Sequence, residues 1–497
     1  MSRRLAAAGC VVSGVALSFA FPEPSLAPIA WVAVAPLLVL GRRGARHGSF
    51  LGFAFGVGFF GALLIWISLV GWIAWFLLVV MEALFLALFG ATWAIASRLD
   101  RRWWLVAAPA LWVSVEALRE QVPVVGFPWG QLAQGQVAVP WLLQSAQLGG
   151  GKTVSFIVVA VNVLVALAWL ERGLVRRAAM IGGAAAVLAA VPFLTVFVDS
   201  FRSLHMDGYV LRFAIVQGNA RPGVHVEDQR ARVMRHARLT EDLAGEDLDL
   251  VVWPESSVGI DPFRDQEIAE MIAGAARAVD APMIVGANLD VDPATYQVVA
   301  LLVSADGEIV DLYQKTHLVP FGEYVPVRGI LGGLPMLQQI PRDAVAGDSP
   351  KNFLIGRTEV AVAISFEGDF GPLVRDRIAD GGRALVVATN TSTWGYSWAS
   401  AQHVAMSQVR AAENQVPVIH AALSGISAFV SPFGLEAHYE TDLYEEEVVV
   451  ASTRAATQVS LYARTGEWLP WSCVIGGAIT LLVAVRRGRR DTVTVPG

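Results

Sequence analysis

Eight stretches of this chain are apolar enough to demand a non-aqueous surrounding, and that demand limits every other reading. A membrane-spanning helix needs roughly 20 predominantly apolar residues. Such segments lie near 5–21, 26–40, 50–71, 73–97, 103–119, 152–171, 178–198 and 467–486. Between the seventh and the eighth runs a stretch of different composition, about 209–460, which holds most of the acidic residues. It alternates short apolar runs with amphipathic ones and reads as a water-facing domain inserted into a membrane protein. Over 497 residues, 55% are hydrophobic and 16% charged, against about 25% charged in a typical soluble domain. That balance excludes a disordered chain, a collagen, a coiled coil and an ordinary cytosolic enzyme. The formal net charge of −6 argues against a general nucleic-acid binder. Two cysteines, Cys10 and Cys473, cannot build a disulfide framework, and eight scattered histidines offer no HExxH pair. Neither a metal nor a cofactor is expected.

Arginines fix an orientation. Arg3 and Arg4 precede the first segment. Arg42, Arg43 and Arg46 follow the second, Arg98, Arg101 and Arg102 the fourth, and Arg172, Arg176 and Arg177 the sixth. Arg486, Arg487, Arg489 and Arg490 follow the eighth, while the loops near 22–25 and 71–73 carry no Lys or Arg. By the positive-inside rule both termini are cytoplasmic and the inserted domain is extracytoplasmic. Two motifs mislead. AAAGC at 6–10 resembles a lipoprotein cleavage box, but the apolar stretch before Cys10 is shorter than a signal-peptide core of about 7–15 residues. GGGKT at 149–153 resembles a phosphate loop, but the pattern needs Gly where Ala146 stands; it reads as a membrane-entry loop.

Within 209–460 the pattern predicts strands near 209–218, 248–254, 282–288, 297–304, 309–313, 359–365, 384–390, 416–422, 426–431 and 446–452. Helices fit near 226–243, 264–279, 371–380 and 398–414. Several strands are near-continuous apolar runs, which implies burial on both faces. This is an α/β layered fold, with polar residues at strand ends where such folds carry their sites. In VVWPESS, Glu255 follows a buried strand as either a helix N-terminal acid or a general base. In YQKTHLVPFGEYVP, Lys315 precedes Glu323 by eight residues. Lys152, Lys315 and Lys351 are the only lysines in an Arg-biased chain. Lys315 is therefore either an exposed loop residue or a position that needs a compact ammonium. In AVAISFEGDFG a buried strand ends at Ser365, as an ordinary terminus or as a nucleophile at a strand-to-helix turn. Together, a carboxylate, an ammonium and a hydroxyl can perform acyl transfer: base, oxyanion stabiliser and covalent carrier.

These motifs resemble the apolipoprotein N-acyltransferase family, membrane-embedded members of the nitrilase superfamily. The resemblance covers almost the whole chain. It rests on the eight spans, GFPWGQLAQGQ at 126–136, WPES, YQKTHLVPFGEYVP, SFEGDF with the following RD, and TNTSTWGYSWASAQHVAMSQVRAAE at 389–413. It implies a polytopic α-helical membrane domain of eight transmembrane helices plus an extracytoplasmic α/β nitrilase-like (αββα sandwich) domain. The expected boundaries are 1–200, 209–460, and 465–497 for the last helix and basic tail. The family takes an acyl chain from a phospholipid and passes it to the N-terminal amine of a diacylglyceryl-cysteine lipoprotein. The resemblance implies Glu255 as base, Lys315 as oxyanion lysine, Glu323 and Glu367 as supporting carboxylates, and Asn390 as an orienting residue. Phe321, Tyr324, Leu334 and Met336 are expected to contact acyl chains, and Trp394 and Tyr396 to form part of a substrate lid, with ordinary loop packing as the alternative; Phe366 is expected to be a substrate-binding residue. Donor tails are expected between the membrane helices. Some relatives are associated with a polyprenyl-phosphate mannose synthase, a further possible partner.

One position departs from the family. Ser365 stands where the family has its nucleophilic Cys, and Leu423-Ser424 replace an Asn pair seen in many members. Cys10 and Cys473 fall in predicted membrane helices and cannot substitute. Three readings follow: a Cys→Ser replacement made to block turnover, a natural relative with a slow or altered serine nucleophile, or a natural relative without catalysis that acts as a scaffold or lipid binder. A membrane-tethered amidase is a further alternative, but it leaves the eight spans and GFPWGQ unexplained.

Overall fold

The structure is a computed structural model that describes residues 2–122, 126–200, 208–220, 228–334, 337–338, 340–432, 437–438 and 440–493. The chain divides into two compact units, Met1–Ser203 with Thr465–Gly497, and Leu204–Arg464.

The first unit is helical. Long helices at Arg3–Ser18, Ala45–Leu63, Trp72–Ala96, Trp104–Gln121, Gly151–Leu170, Leu174–Ser200 and Trp468–Val493 coincide with all but one of the apolar segments. The exception is the second, which Pro28 and Pro36 break into Ala27–Ile29, Ala30–Ala33 and Ala35–Leu40. A proline removes a donor and clashes with the preceding turn. The backbone N–H groups freed at Val34 and Ala35 both donate to Asn162 Oδ1, at 2.9 and 3.0 Å, and Asn162 Nδ2 donates to the Ala30 carbonyl at 2.8 Å. One side chain on a neighbouring helix thus satisfies the break, as a non-aqueous surrounding requires.

The expectation of eight spanning helices is only partly met. Among the described residues, four helices can cross a membrane by length and composition: Trp72–Ala96, Gly151–Leu170, Leu174–Leu194 and Trp468–Arg487. Arg3–Ser18 has 16 residues, and Trp104–Gln121 carries Glu116, Arg119 and Glu120. Those charges are buried and partnered. Arg119 Nη1 meets Glu82 Oε2 at 2.7 Å and the Trp129 carbonyl at 2.6 Å, and Lys152 Nζ meets Glu120 Oε2 at 2.8 Å. The GGGKT stretch spans the end of the short helix Ala146–Gly149 and the start of Gly151–Leu170, with Lys152 buried. Ala45–Leu63 is diluted by glycines, and these serve close packing. A Cβ on Gly52 would lie 2.1 Å from the Leu86 carbonyl oxygen, and one on Gly48 2.2 Å from that of Gly90. Small residues at four-residue spacing let two helix backbones touch.

The second unit is a four-layer sandwich. Its strands are β1 (Val210–Gln217), β2 (Leu250–Val258), β3 (Met283–Asp290), β4 (Thr295–Val303), β5 (Ile309–Gln314), β6 (Asp343–Ala344), β7 (Asn352–Ile355), β8 (Thr358–Ile364), β9 (Ala384–Thr389), β10 (Val418–Ala422), β11 (Ala428–Val430), β12 (Ala437–His438) and β13 (Glu447–Arg454). One sheet runs β13-β1-β2-β3-β4-β5 with β6 beside β4; the other runs β12-β11-β10-β9-β8-β7. Alternation within each strand explains the layers. Phe213 and Ile215 join Val362, Ile364 and Val386 in the core between the sheets. Ala214 and Val216 face the helices Gln229–Glu241 and Gln266–Val279 on one side. Leu385 and Val387 face Gly371–Ala379 and Ala399–Asn414 on the other. Both faces of the central strands are buried, as their continuous apolar runs imply. β6, β7 and β12 are too short to leave a periodic signal.

Replacing Asn162 by Leu should strand two backbone donors. The expected loss is about 1–3 kcal/mol for each, read as a lower unfolding temperature of the detergent-solubilised protein. An unchanged unfolding temperature would contradict this role.

Candidate active site

The ends of β2, β5, β8 and β9 supply the side chains expected to act. β2 is irregular: its register on β3 shifts between Trp253 and Val258, and Ser256 has a left-handed φ of +58°. This bulge carries Glu255. Gly286 on β3 lets the bulge approach, because a Cβ there would lie 2.1 Å from the Pro254 carbonyl oxygen. A bulge re-aims a side chain, and here it places Glu255 inside the strand rather than at a helix start. The helix N-terminal alternative is thereby removed, since the next helix begins at Gln266.

Lys315 follows β5, and its N–H donates to the Val298 carbonyl at 2.9 Å, extending the ladder by one residue. Its side chain is 0% exposed. The ammonium donates to Glu255 Oε1 at 2.9 Å and to Glu323 Oε1 at 2.5 Å, so the exposed-loop alternative fails. Glu323 is held in turn: its Oε2 accepts the Val319 N–H at 2.7 Å, across the turn in which Phe321 has a φ of +61°. Glu255 Oε2 accepts the Asn390 N–H at 2.9 Å, just past β9. Burial works to strip the Lys315 proton, but Glu255 and Glu323 outweigh it and hold the ammonium well above the ordinary lysine range. Burial raises the Glu323 carboxyl above its usual value; Lys315 opposes this and Glu255 adds to it.

β8 ends at Ile364, one residue before the expected terminus, and Ser365 opens the 3₁₀ turn Ser365–Asp369 with a φ of +51°. A non-glycine residue held in that region stores strain and often marks a functional turn. Ser365 is 8% exposed, and its Oγ lies 3.1 Å from Thr389 Oγ1. Glu367, fully buried, binds the turn to the Lys315 loop. Its Oε1 accepts from Tyr313 Oη (2.6 Å), Thr316 N (2.9 Å), Thr316 Oγ1 (2.8 Å) and His317 N (3.1 Å). Its Oε2 accepts from Ile364 N at 2.9 Å and faces Arg377 Nη2 at 3.2 Å. Burial acts to raise its pKa, but Arg377 and these hydrogen bonds bring it below the ordinary carboxylate value.

The remaining expected residues scatter. Phe366 is buried against Phe370, with ring centroids 4.9 Å apart. Phe321 and Leu334 are exposed, and Tyr324 is half-buried. Met336 lies outside the described residues. Trp394 packs on His403, and exposed Tyr396 packs on Tyr444. Asn390 meets Glu255 through its backbone, while its side chain accepts from Ser392 N. Thr389, Arg377, Tyr313 and the Asp369–His403 contact (3.1 Å) went unread in the sequence. Thr389 opens the TNTSTWG motif, which was the available signal for it.

Comparison with known proteins follows this geometry. Residues 13–164 match the apolipoprotein N-acyltransferase N-terminal domain, and residues 212–459 match the carbon-nitrogen hydrolase family. The chain is 33% identical to an apolipoprotein N-acyltransferase of Geobacter metallireducens over 96% of this chain and 95% of that protein. It is 29% identical to one of Gloeobacter violaceus, over 98% and 97%, and 29% identical to one of Mycolicibacterium smegmatis, over 96% and 84%.

Glu367→Gln should lower stability at pH 7 by about 3–5 kcal/mol, because it leaves buried Arg377 unpaired. The folded-state pKa of Glu367 is depressed, so its contribution is complete above the unfolded value of about 4.3 and is lost as pH falls through the lower folded value. The gap between the variant and the parent should therefore shrink on acidification below about pH 4. Thermal unfolding at neutral and acid pH checks this; an equal gap at both would contradict it.

Proposed function

The chain belongs to the apolipoprotein N-acyltransferase family, and on that premise we propose that it transfers an acyl chain from a phospholipid to the N-terminal amine of a diacylglyceryl-cysteine lipoprotein. The observation that carries the mechanism is the buried ammonium of Lys315 between Glu255 and Glu323, in the same domain as a strained, hydrogen-bonded Ser365.

In the proposed reaction Ser365 Oγ attacks the ester carbonyl carbon of the phospholipid, and its proton passes to the Glu255 carboxylate. The carbonyl oxygen becomes an oxyanion, for which Lys315 supplies the positive charge. Collapse breaks the ester bond, the lysophospholipid oxygen takes the proton back from Glu255, and the acyl group remains on Ser365 as an ester. The acceptor amine then attacks that ester, Glu255 takes the amine proton, and the Ser365 oxygen is reprotonated as the amide forms. Glu323 and Glu367 set the positions of Lys315 and of the nucleophile turn. A serine hydroxyl is far less acidic than a thiol, so acylation should be the slow step.

The proposed topology is multi-pass in the bacterial membrane, with eight membrane segments, cytoplasmic termini and an extracytoplasmic nitrilase-like domain. Arginine placement supports it. So does the apolar exposed surface of Trp72, Ile73, Phe76, Leu77, Leu84 and Leu88 on one long helix.

The test is acyl transfer from phospholipid to a synthetic diacylglyceryl-cysteine peptide, read by mass. Transfer should occur with the chain as it stands, stop with Ser365→Ala and rise with Ser365→Cys. Lys315→Met should lower the rate by about 10²–10³-fold. The absence of transfer from both the parent and Ser365→Cys would overturn the proposal. Since the Lys315 pKa is raised, loss of its proton should not reduce the rate anywhere below about pH 10. A fall centred lower, displaced by Glu323→Gln, would contradict the ammonium's role.

A further inference from the structure

The residue beside the proposed nucleophile has no part in the reaction so far. Thr389 is the last residue of β9 and is fully buried. Its Oγ1 lies 3.1 Å from Ser365 Oγ, and the next residue, Asn390, donates its backbone N–H to Glu255 Oε2 at 2.9 Å. Two consecutive residues of one strand end therefore touch the proposed nucleophile and the proposed base. β9 is rigid there: it is paired in parallel with β8 on one side and β10 on the other, up to Ile364↔Ala388 and Ala422↔Thr389. The Leu423 N–H caps the Thr389 carbonyl at 3.0 Å. The Thr389 side chain is also β-branched, which restricts its rotamers.

We propose that Thr389 is a positioning residue for Ser365 whose hydroxyl adapts this site to an oxygen nucleophile. The inference rests on the acyl-transfer reading of the site. In the resting protein the two hydroxyls share one hydrogen bond and fix the Ser365 rotamer. As Ser365 Oγ bonds to the carbonyl carbon and its proton leaves for Glu255, Thr389 Oγ1–H donates to the oxygen that is losing its proton. A hydroxyl needs this help and a thiol does not. An alkoxide is much the more basic species, whereas a thiol ionises near pH 8.5 and is a weak hydrogen-bond partner. The same Thr389 should therefore matter in the serine protein and matter little when residue 365 is cysteine.

The experiment uses the full-length protein in detergent and an alkyl fluorophosphonate. This probe forms a phosphorus–oxygen bond with an activated serine and releases fluoride, and its Ser365 adduct is read by peptide mass. Thr389→Val, nearly isosteric but without the hydroxyl, should slow labelling about tenfold or more. Thr389→Ser should restore it. In the Ser365→Cys protein, Thr389→Val should change acyl transfer from phospholipid to the diacylglyceryl-cysteine peptide by less than about threefold; the same measurement shows that the variant is folded. The proposal is overturned if Thr389→Val labels as fast as the parent, if Thr389→Ser does not restore labelling, or if Thr389→Val slows the cysteine protein as much as the serine protein. It is also overturned if Ser365 is not labelled at all, and transfer by Ser365→Cys would then leave the family reading standing.

Discussion

One buried positive charge organises the second unit of this chain. The Lys315 ammonium is fully buried and paired with two carboxylates that reach it from different elements, Glu255 from the β2 bulge and Glu323 from the turn after β5. Removing the lysine would leave two facing carboxylates uncompensated in a low-dielectric site, and loss of a buried charge partner costs about 3–5 kcal/mol. The bulge, the left-handed Ser256 and the bare Cα of Gly286 all follow from bringing Glu255 to that ammonium. A third carboxylate, Glu367, ties the loop that carries Lys315 to the turn that carries Ser365. The geometry of the site is thus a property of three acids and their partners rather than of apolar packing.

Under the proposed mechanism, serine at position 365, where the resemblance implies a cysteine, bears on the energetics of the reaction. The turn has a positive φ, and the oxygen has a hydroxyl partner in Thr389. The ammonium is held above the ordinary lysine range, so it is available as a cation and not as a base. In the proposed mechanism proton removal from Ser365 therefore falls to a carboxylate, and acylation is the slow step.

Much of this was legible in the sequence where periodicity was strong. All the strands but β6, β7 and β12, and the four expected helices of the second unit, appear close to their expected places, because two-faced burial writes continuous apolar runs. Glu255, Lys315 and Ser365 were readable as chemistry-bearing residues at strand ends. The ion pair between Glu255 and Lys315 was not, because a bulge at Glu255 and a one-residue extension at Lys315 leave no periodic trace. Glu367 showed as an acid after a nucleophile, but its partners Tyr313 and Arg377 lie 54 and 10 residues away. In the helical unit the apolar segments were visible. The break in the second followed from Pro28 and Pro36, and its repair by Asn162 is a contact over about 130 residues that no local pattern encodes. Trp394 and Tyr396 looked alike in sequence, yet one is half-buried against His403 and the other exposed.

The most direct test of the central claim is to trap the covalent intermediate. The full-length protein would be incubated with phospholipid and no acceptor amine, then digested and mapped by mass. The account predicts one acyl chain, ester-linked to the peptide containing Ser365 and absent from Ser365→Ala. Acyl groups on another residue, or their complete absence in the serine protein under conditions where Ser365→Cys accumulates a thioester, would contradict it.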